Sequence, residues 1–107
     1  MVKDINESEL REYIKNSPKP IVIDFYAPWC GPCKTSEPLV SEFAEKNSGS
    51  TDFYKINVDS NPDLTGEYEI RNIPTFILLE GGEVKNKLVG SPTKEKLEKL
   101  ISEYKSN

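Results

Sequence analysis

Cys30 and Cys33 are the only cysteines in the chain, and Gly31 and Pro32 separate them. Residues three apart lie on one face of a helix, so two sulfurs at the start of a helix can come within bonding distance. A helix N-terminus also presents unpaired N–H groups and a partial positive charge, and both favour a thiolate over a thiol. The spacing therefore predicts a reversible dithiol–disulfide pair in which Cys30 is the nucleophile.

Two other uses of a cysteine pair compete with this prediction. A structural disulfide that closes so short a loop would contribute only roughly 2 kcal/mol, against about 4.7 kcal/mol for a loop of about 100 residues. A zinc site needs four ligands, whereas the chain has two cysteines and no histidine, so a metal would require a second chain. We therefore favour a redox pair without a metal.

The composition indicates one domain, spanning residues 1–107, that is large enough for a hydrophobic core. The net charge is −4 and the two signs are interspersed, which argues against a nucleic-acid partner and against an anionic membrane surface. The segment MVKDINESEL has no apolar run typical of a signal peptide, and no stretch is long enough to cross a bilayer. We expect a cytoplasmic protein that acts as a monomer.

Hydrophobic patterns on either side of the cysteines predict the elements that position them. Residues 21–27 form a nearly continuous apolar run, which is typical of a central strand covered on both faces. After the cysteines, apolar residues recur at helical spacing, so a helix is expected from Cys30 or Cys33 to about Lys46, with a kink at Pro38. The cysteine pair thus falls at the C-terminal end of a central strand, where open α/β sheets place their sites.

The other elements are assigned from caps, alternation and turn residues. They are a first helix from the capping box of Asn6 and Glu9 to about Asn16, a strand at 52–58, a short helix opened by Asn61 and Pro62, a hairpin of 75–79 and 84–89 that turns at Gly81 and Gly82, and a last helix from Thr93 that includes Tyr104. The order βαβαβαββα predicts an α/β fold with a mixed central sheet, parallel in its first part, and helices on both faces.

The segment Trp29-Cys30-Gly31-Pro32-Cys33 resembles the active-site signature of the thioredoxin family, and the resemblance covers essentially the whole chain. Before and after it, Asp24-Phe25 resembles the family's buried acid and its neighbour, and Pro38 resembles its helix-kinking proline. Lys55 stands where the family has a lysine near that acid. The resemblance implies a thioredoxin fold and the reduction of protein disulfides.

Two further segments resemble parts of the family's substrate groove. Ile73-Pro74-Thr75 is similar to the segment whose proline is cis and faces the disulfide, and Val89-Gly90 is similar to the glycine loop that lines the groove. The resemblance implies that the catalytic residues are Cys30, Cys33, Asp24 and Lys55. It implies that the substrate-binding residues are Trp29, Gly31, Pro32, Ile73, Pro74, Thr75, Val89 and Gly90.

The resemblance also implies which partners the protein has. No cofactor is expected to stay bound to the chain, and the electrons are expected from an NADPH-dependent flavoprotein, thioredoxin reductase. The substrates are expected to be proteins that contain disulfides. In the mechanism, Cys33 would resolve a mixed disulfide at Cys30 after giving its proton to Asp24, directly or through water.

Several of these residues have simpler interpretations. Asp24 interrupts apolar neighbours, so we expect a desolvated carboxyl with a raised pKa, but it could also face water at the end of its strand. Lys55 could be a solvated strand lysine, and Trp29 could belong to the core rather than to a substrate platform. Pro74 could begin a strand, although a cis bond that exposes the Ile73 backbone is the sharper expectation.

The chain departs from the family pattern at Thr35 and Ser36, where apolar residues are frequent, and we expect a more polar rim around the active site. A second hypothesis for the function is a binding module that grips partners through a groove of Trp29, Ile73 and Gly90 without turnover. The two intact cysteines argue against that hypothesis. Changing both cysteines to serine would separate the two, because only a reductase would then lose its function.

Overall fold

The computed structural model describes residues 2–102, and within them the elements follow the order βαβαβαββα. They are β1 (Lys3–Asp4), α1 (Glu7–Asn16), β2 (Ile21–Tyr26), α2 (Gly31–Lys46), β3 (Asp52–Asn57), α3 (Pro62–Glu67), β4 (Thr75–Glu80), β5 (Glu83–Val89) and α4 (Lys94–Ser102). The sequence pattern assigned no residues to β1, because two residues are too short for a period to show. Tyr104, which was expected in the last helix, lies outside the described residues.

The strands form one mixed sheet in the order β1-β3-β2-β4-β5. The pairs β1–β3 and β3–β2 are parallel, whereas β4 is antiparallel to both β2 and β5. The predicted sheet is confirmed, and β2 lies at its centre. The hairpin between β4 and β5 turns at Gly81 and Gly82, whose φ angles of 62° and 84° lie in the region that favours glycine.

Each face of the sheet has its own hydrophobic core. On one face, Val22 of β2 packs in a cluster with residues of α2 and α4, including Phe43 and Leu97. On the other face, Ile23 belongs to a cluster with Leu10 of α1 and Leu64 of α3. Successive side chains of a strand point to opposite faces, so these clusters confirm that helices cover both sides of the sheet. A polar side chain in β2 is consequently removed from water whichever way it points.

The start of α1 is fixed by the predicted capping box. The side chain of Asn6 accepts a hydrogen bond from the backbone N–H of Glu9 at 2.9 Å, and the carboxylate of Glu9 accepts one from the backbone N–H of Asn6 at 3.0 Å. Two N–H groups at the helix start are thereby satisfied, and Leu10 is held in the core of its face. No helix within residues 2–102 is both long enough and apolar enough to cross a membrane.

The capping box gives a first prediction, on stability. Asn6→Ala leaves the N–H of Glu9 without its partner, so the free energy of unfolding should fall by about 1 kcal/mol. Asn6→Ser, which keeps an oxygen at the cap, is the control and should retain most of the stability. Urea unfolding of the three proteins measures the difference. An equal loss in both variants would mean that packing of the Asn6 side chain, rather than its hydrogen bond, stabilises the helix start.

Candidate active site

Cys30 and Cys33 form a disulfide at the beginning of α2. Cys30 is the N-cap residue of the helix, with extended backbone angles, and its Cα lies 5.3 Å from that of Cys33. The backbone N–H of Cys33 donates to Sγ of Cys30 at 3.2 Å. A free N–H group of the helix start therefore points at the Cys30 sulfur, which is the arrangement that stabilises a thiolate there.

The turn between β2 and α2 places this disulfide at the end of the central strand. The backbone N–H of Cys30 donates to the carbonyl of Ala27 at 3.1 Å, one residue after β2 ends at Tyr26. Ala27 and the two cysteines form a small buried cluster, against which Ile73 and Val58 pack. The predicted position at the C-terminal end of a central strand is confirmed.

A second segment faces the disulfide from the start of β4. The Ile73–Pro74 bond is cis, as the sequence predicted, and the carbonyl oxygen of Ile73 lies 3.9 Å from Sγ of Cys30. The backbone N–H of Gly90 donates to the carbonyl of Pro74 at 2.8 Å, and Gly90 adopts a positive φ of 95°. Thr75 is buried, and its hydroxyl donates to a backbone carbonyl of the preceding turn rather than facing the groove.

An exposed apolar surface surrounds the disulfide. Trp29 is 69% exposed and Val89 is 52% exposed, and they are two of the three large apolar side chains that stand out from the surface of residues 2–102. Gly31 and Pro32 are exposed as well, and Ile73 is half-buried. The interpretation of Trp29 as a core residue is therefore wrong. A patch of this kind beside a reactive group is typical of a protein-binding site.

Trp29 is held by a contact that the sequence analysis missed. Its indole N–H donates to the carboxylate of Asp59 at 2.8 Å. Asp59 follows β3 and lies 30 positions away from Trp29 in the sequence, so no local pattern indicates the pair. The contact orients the indole beside Cys30.

Burial alone does not distinguish the two cysteines, since Cys30 is 4% exposed and Cys33 is 7% exposed. Their surroundings differ. Sγ of Cys30 lies 3.9 Å from the carbonyl oxygen of Ile73, a residue that packs against the cysteine cluster. Cys33 lines a cavity together with Asp24. The two sulfurs thus have different neighbours, and their roles as nucleophile and resolving thiol stay predictions.

Asp24 is buried in β2, with 8% of its surface exposed, and within residues 2–102 its Oδ1 has no hydrogen-bond partner. Desolvation raises the pKa of this carboxyl to about 7; the positive charge of Lys55 lowers it and the negative charge of Glu37 raises it. The desolvated aspartate predicted from the sequence is confirmed, and the water-facing alternative is wrong. A carboxyl that titrates near neutral pH is suited to exchange a proton with a thiol.

Lys55 lies beside Asp24 in the neighbouring strand, because the two residues are partners in the parallel register of β2 and β3. Its ammonium group lies 4.9 Å from the centre of the Tyr26 ring, where a cation is attracted to the ring face. The phenol of Tyr26 in turn donates to the carboxylate of Asp4 at 2.6 Å. Lys55 is thus held near Asp24, and its role in catalysis stays a prediction.

Two cavities connect this region with the surface. One has a volume of about 660 Å³, the other has a volume of about 320 Å³, and Asp24, Lys55 and Glu37 line both of them. Only the smaller of the two reaches Cys33. The lining of both cavities is mostly apolar but includes these three charged side chains, so the smaller cavity has both the room and the polar groups that a bridging water between Cys33, Asp24 and solvent would need. Sequence reasoning missed Glu37, although its position four residues after Cys33 in a helix was the available signal.

Thr35 and Ser36 line a surface pocket together with Gly31 and Pro32, and Thr35 is exposed whereas Ser36 is buried. The hydroxyl of Thr35 donates to the carbonyl of Gly31 at 3.1 Å, and the buried hydroxyl of Ser36 donates to the carbonyl of Cys33 at 3.1 Å. Short hydroxyl side chains in a helix often bond to a carbonyl of the preceding turn. Thr35 thus adds a polar residue to the surface next to the disulfide, as expected, whereas the Ser36 hydroxyl is buried against its own helix.

No cluster of three or more histidine, cysteine, aspartate or glutamate side chains that could hold a metal ion is present within residues 2–102.

Known proteins resemble this chain along almost its whole length. The thioredoxin family model matches residues 1–103. The chain is 40% identical over 105 residues to the chloroplastic M-type thioredoxin of Spinacia oleracea, covering 98% of this chain and 58% of that protein. It is 36% identical over 103 residues to a thioredoxin of Porphyra purpurea, covering 96% of each chain. The chain thus spans little more than half of the spinach relative and nearly all of the algal one.

A solved structure gives the same result for the fold. The oxidised form of mitochondrial thioredoxin 3 from Saccharomyces cerevisiae superimposes with a TM-score of 0.84 at 36% sequence identity, covering 95% of this chain and 94% of that one.

The buried position of Asp24 gives a prediction for the dependence of stability on pH. Its pKa is about 7 in the folded protein against an ordinary value of 3.8, so the stability present below pH 3.8 is lost as the pH rises through 7. At about 1.4 kcal/mol per pH unit, ionising Asp24 in the fold costs on the order of 4 kcal/mol. Asp24→Asn removes this cost, so the variant should exceed the parent in stability at pH 8, and the advantage should shrink toward pH 4.

Denaturant unfolding at several pH values between 4 and 9 measures this difference, with Asp63→Asn as a control for the loss of one exposed negative charge. A poor hydrogen bond of the new amide would subtract the same amount at every pH and leave the slope unchanged. A difference between Asp24→Asn and the parent that does not vary with pH would contradict the buried, ionisable Asp24.

Proposed function

Because the chain belongs to the thioredoxin family, we propose that it reduces disulfide bonds of other proteins by exchange through Cys30 and Cys33. The bonded cysteine pair makes this domain a thiol–disulfide oxidoreductase. The observation that carries the proposal is the placement of that pair, between an exposed apolar surface on one side and a buried carboxyl with a pKa of about 7 on the other. A disulfide that served only to stabilise the fold would need neither the exposed apolar surface nor the buried carboxyl.

In the first step, the Cys30 thiolate of the reduced protein attacks one sulfur of the substrate disulfide. The substrate S–S bond breaks, one substrate sulfur leaves as a thiolate, and a mixed disulfide joins the other to Cys30. Trp29, Val89 and the exposed edge of Ile73 provide the surface on which the substrate segment lies. An extended segment could also pair with the backbone at Ile73, whose carbonyl is next to the Cys30 sulfur.

In the second step, Cys33 gives its proton to the carboxylate of Asp24, directly or through water in the smaller cavity. The Cys33 thiolate attacks Sγ of Cys30, the mixed disulfide breaks, and the second substrate sulfur leaves and takes up a proton. Two electrons have then passed from the dithiol to the substrate, and the Cys30–Cys33 disulfide remains. This step is intramolecular, with both sulfurs held on one helical turn, and is therefore fast.

The direction of electron flow belongs to the same proposal. The residues between the cysteines, Gly31 and Pro32, carry no positive charge that would strongly stabilise the thiolate, so a reductant is favoured over a strong oxidant. We propose an NADPH-dependent flavoprotein reductase as the electron donor and disulfide-containing proteins as substrates. Reduction of the disulfide by such an enzyme in the presence of NADPH, followed by absorbance at 340 nm, tests the donor.

Oligomeric state and location are further parts of the proposal. We propose a monomer, because the exposed apolar surface must stay open to substrates; light scattering coupled to size-exclusion chromatography tests this.

We also propose a cytoplasmic location, since reversible catalytic disulfides are the kind that persist in reducing compartments. Several relatives are named as chloroplastic, so cell fractionation must include organelles where the source has them.

Trapping of substrates is the prediction that tests the function and the two cysteine roles. With Cys33→Ser the resolving thiol is absent while Cys30 is intact, so mixed disulfides through Cys30 should accumulate in a lysate of the source cells. Affinity purification under non-reducing conditions, elution with a thiol reductant and mass spectrometry identify the captured proteins.

Two matched variants complete this experiment. Cys30→Ser should trap little, and the double serine variant should trap nothing and have no reductase activity. Equal trapping by Cys30→Ser and Cys33→Ser would mean that Cys30 is not the nucleophile and Cys33 not the resolving thiol in the sense proposed. Partners that the double serine variant retains without a covalent bond, together with an absence of turnover in the parent, would favour the binding module instead.

A further inference from the structure

Glu37 lies on the same face of α2 as Cys33, four residues further along the helix. It lines both of the cavities that contain Asp24, and Lys55 lines both as well. Glu37 is exposed, whereas Asp24 is buried with an unpartnered Oδ1 within residues 2–102. The cavities that lead from solvent to the Asp24 carboxyl are therefore lined by one positive side chain, Lys55, and one negative side chain, Glu37.

We propose that Glu37 is a positioning residue for the resolving step, whose negative charge offsets that of Lys55 and favours the protonated form of Asp24. Glu37 would thereby set the pH range in which Asp24 can take the proton of Cys33. This inference rests on the proposed function only for its catalytic consequence. The effect of Glu37 on Asp24 is a property of the folded protein and can be measured without a substrate.

The titratable and charged residues that line the cavities around Asp24 come from β1, β2, α2 and β3, whereas β4 places the apolar Phe76 beside Asp24. They are Lys3 and Asp4 of β1, Tyr26 of β2, Cys33, Lys34 and Glu37 of α2, and Lys55 of β3. Asp4 accepts a hydrogen bond from the phenol of Tyr26, and Lys3 donates one to the hydroxyl of Tyr13. Among these residues, Lys55 lowers the pKa of Asp24 through its positive charge and Glu37 raises it through its negative charge.

The opposite effects of Lys55 and Glu37 matter because Asp24 must act as a base in the resolving step. For that, its carboxylate must be ionised and must still bind a proton strongly enough. Beside Lys55 alone, the carboxylate would be stabilised and would accept a proton less readily. The like charge of Glu37 makes Asp24 a stronger base, and a stronger base removes the Cys33 proton faster once it is ionised. Glu37 thus increases the maximum rate and moves its onset to higher pH.

The direct experiment follows the titration of Asp24 by carbon-13 NMR of its carboxyl group in the oxidised protein, where neither cysteine titrates. Asp24→Asn identifies the signal by its loss. Glu37→Gln should move the titration midpoint to lower pH, and Lys55→Gln should move it to higher pH. Glu42→Gln is the matched control, because Glu42 is an exposed residue of α2 that pairs with Lys46 and lines neither cavity.

Both shifts should weaken in high salt, since Glu37 is exposed and its charge is screened. A midpoint in Glu37→Gln equal to that in Glu42→Gln would overturn the proposal, because the loss of one negative charge from α2 would then act without regard to position. A shift to higher pH would overturn it as well.

The catalytic consequence is measured by single-turnover reduction of a disulfide protein between pH 5 and pH 9. In Glu37→Gln the onset of the resolving rate should move to lower pH and the plateau should fall, while Glu42→Gln follows the parent. If the parent shows no reduction, the proposed function fails, whereas the NMR titration still decides the effect of Glu37 on Asp24. A normal pH profile in Glu37→Gln with a shifted midpoint would reject the role in the resolving step.

Discussion

The removal of water from the central strand is the constraint on which this site depends. Helices cover both faces of the sheet, so β2 can be stable only if nearly all of its side chains are apolar. Asp24 is the exception, and the desolvation that makes it unfavourable in the fold also makes it a base near neutral pH. Stability and reactivity therefore have the same cause at this residue. The strand then ends beside the N-terminus of α2, where the sulfur chemistry needs that base.

The parts of the fold that the sequence predicted are those set by local or periodic patterns. The apolar run at 21–27 identified the central strand, the capping box at Asn6 fixed the start of α1, and the cysteine spacing placed a disulfide at the start of a helix. Each of these depends on residues only a few positions apart. The predicted order begins with a strand, but no residues were assigned to it, because the two residues of β1 are defined by their pairing with β3 and not by any period.

The parts of the site that were missed depend on tertiary packing. Asp59 meets Trp29 across 30 positions, and Glu37 acquires its place beside Asp24 only because α2 lies on the face of the sheet toward which Asp24 points. Ser36 differs from its expected place for another reason. A serine next to the active-site cysteines is expected at the surface, whereas this side chain is buried and its hydroxyl donates to a carbonyl of its own helix. Residue type alone does not reveal where a hydrogen bond is made.

The hydrogen bond from Trp29 to Asp59 has a consequence for the entropy of substrate binding. A large aromatic side chain on the surface would ordinarily sample several rotamers, and ordering one rotamer-rich side chain at an interface costs about 0.5–1.5 kcal/mol. Here the indole is already restrained by a charged acceptor in the turn after β3, so much of that ordering has occurred before a partner arrives. In the proposed exchange reaction, less of the binding free energy would then be lost to ordering Trp29 when a substrate segment docks against it.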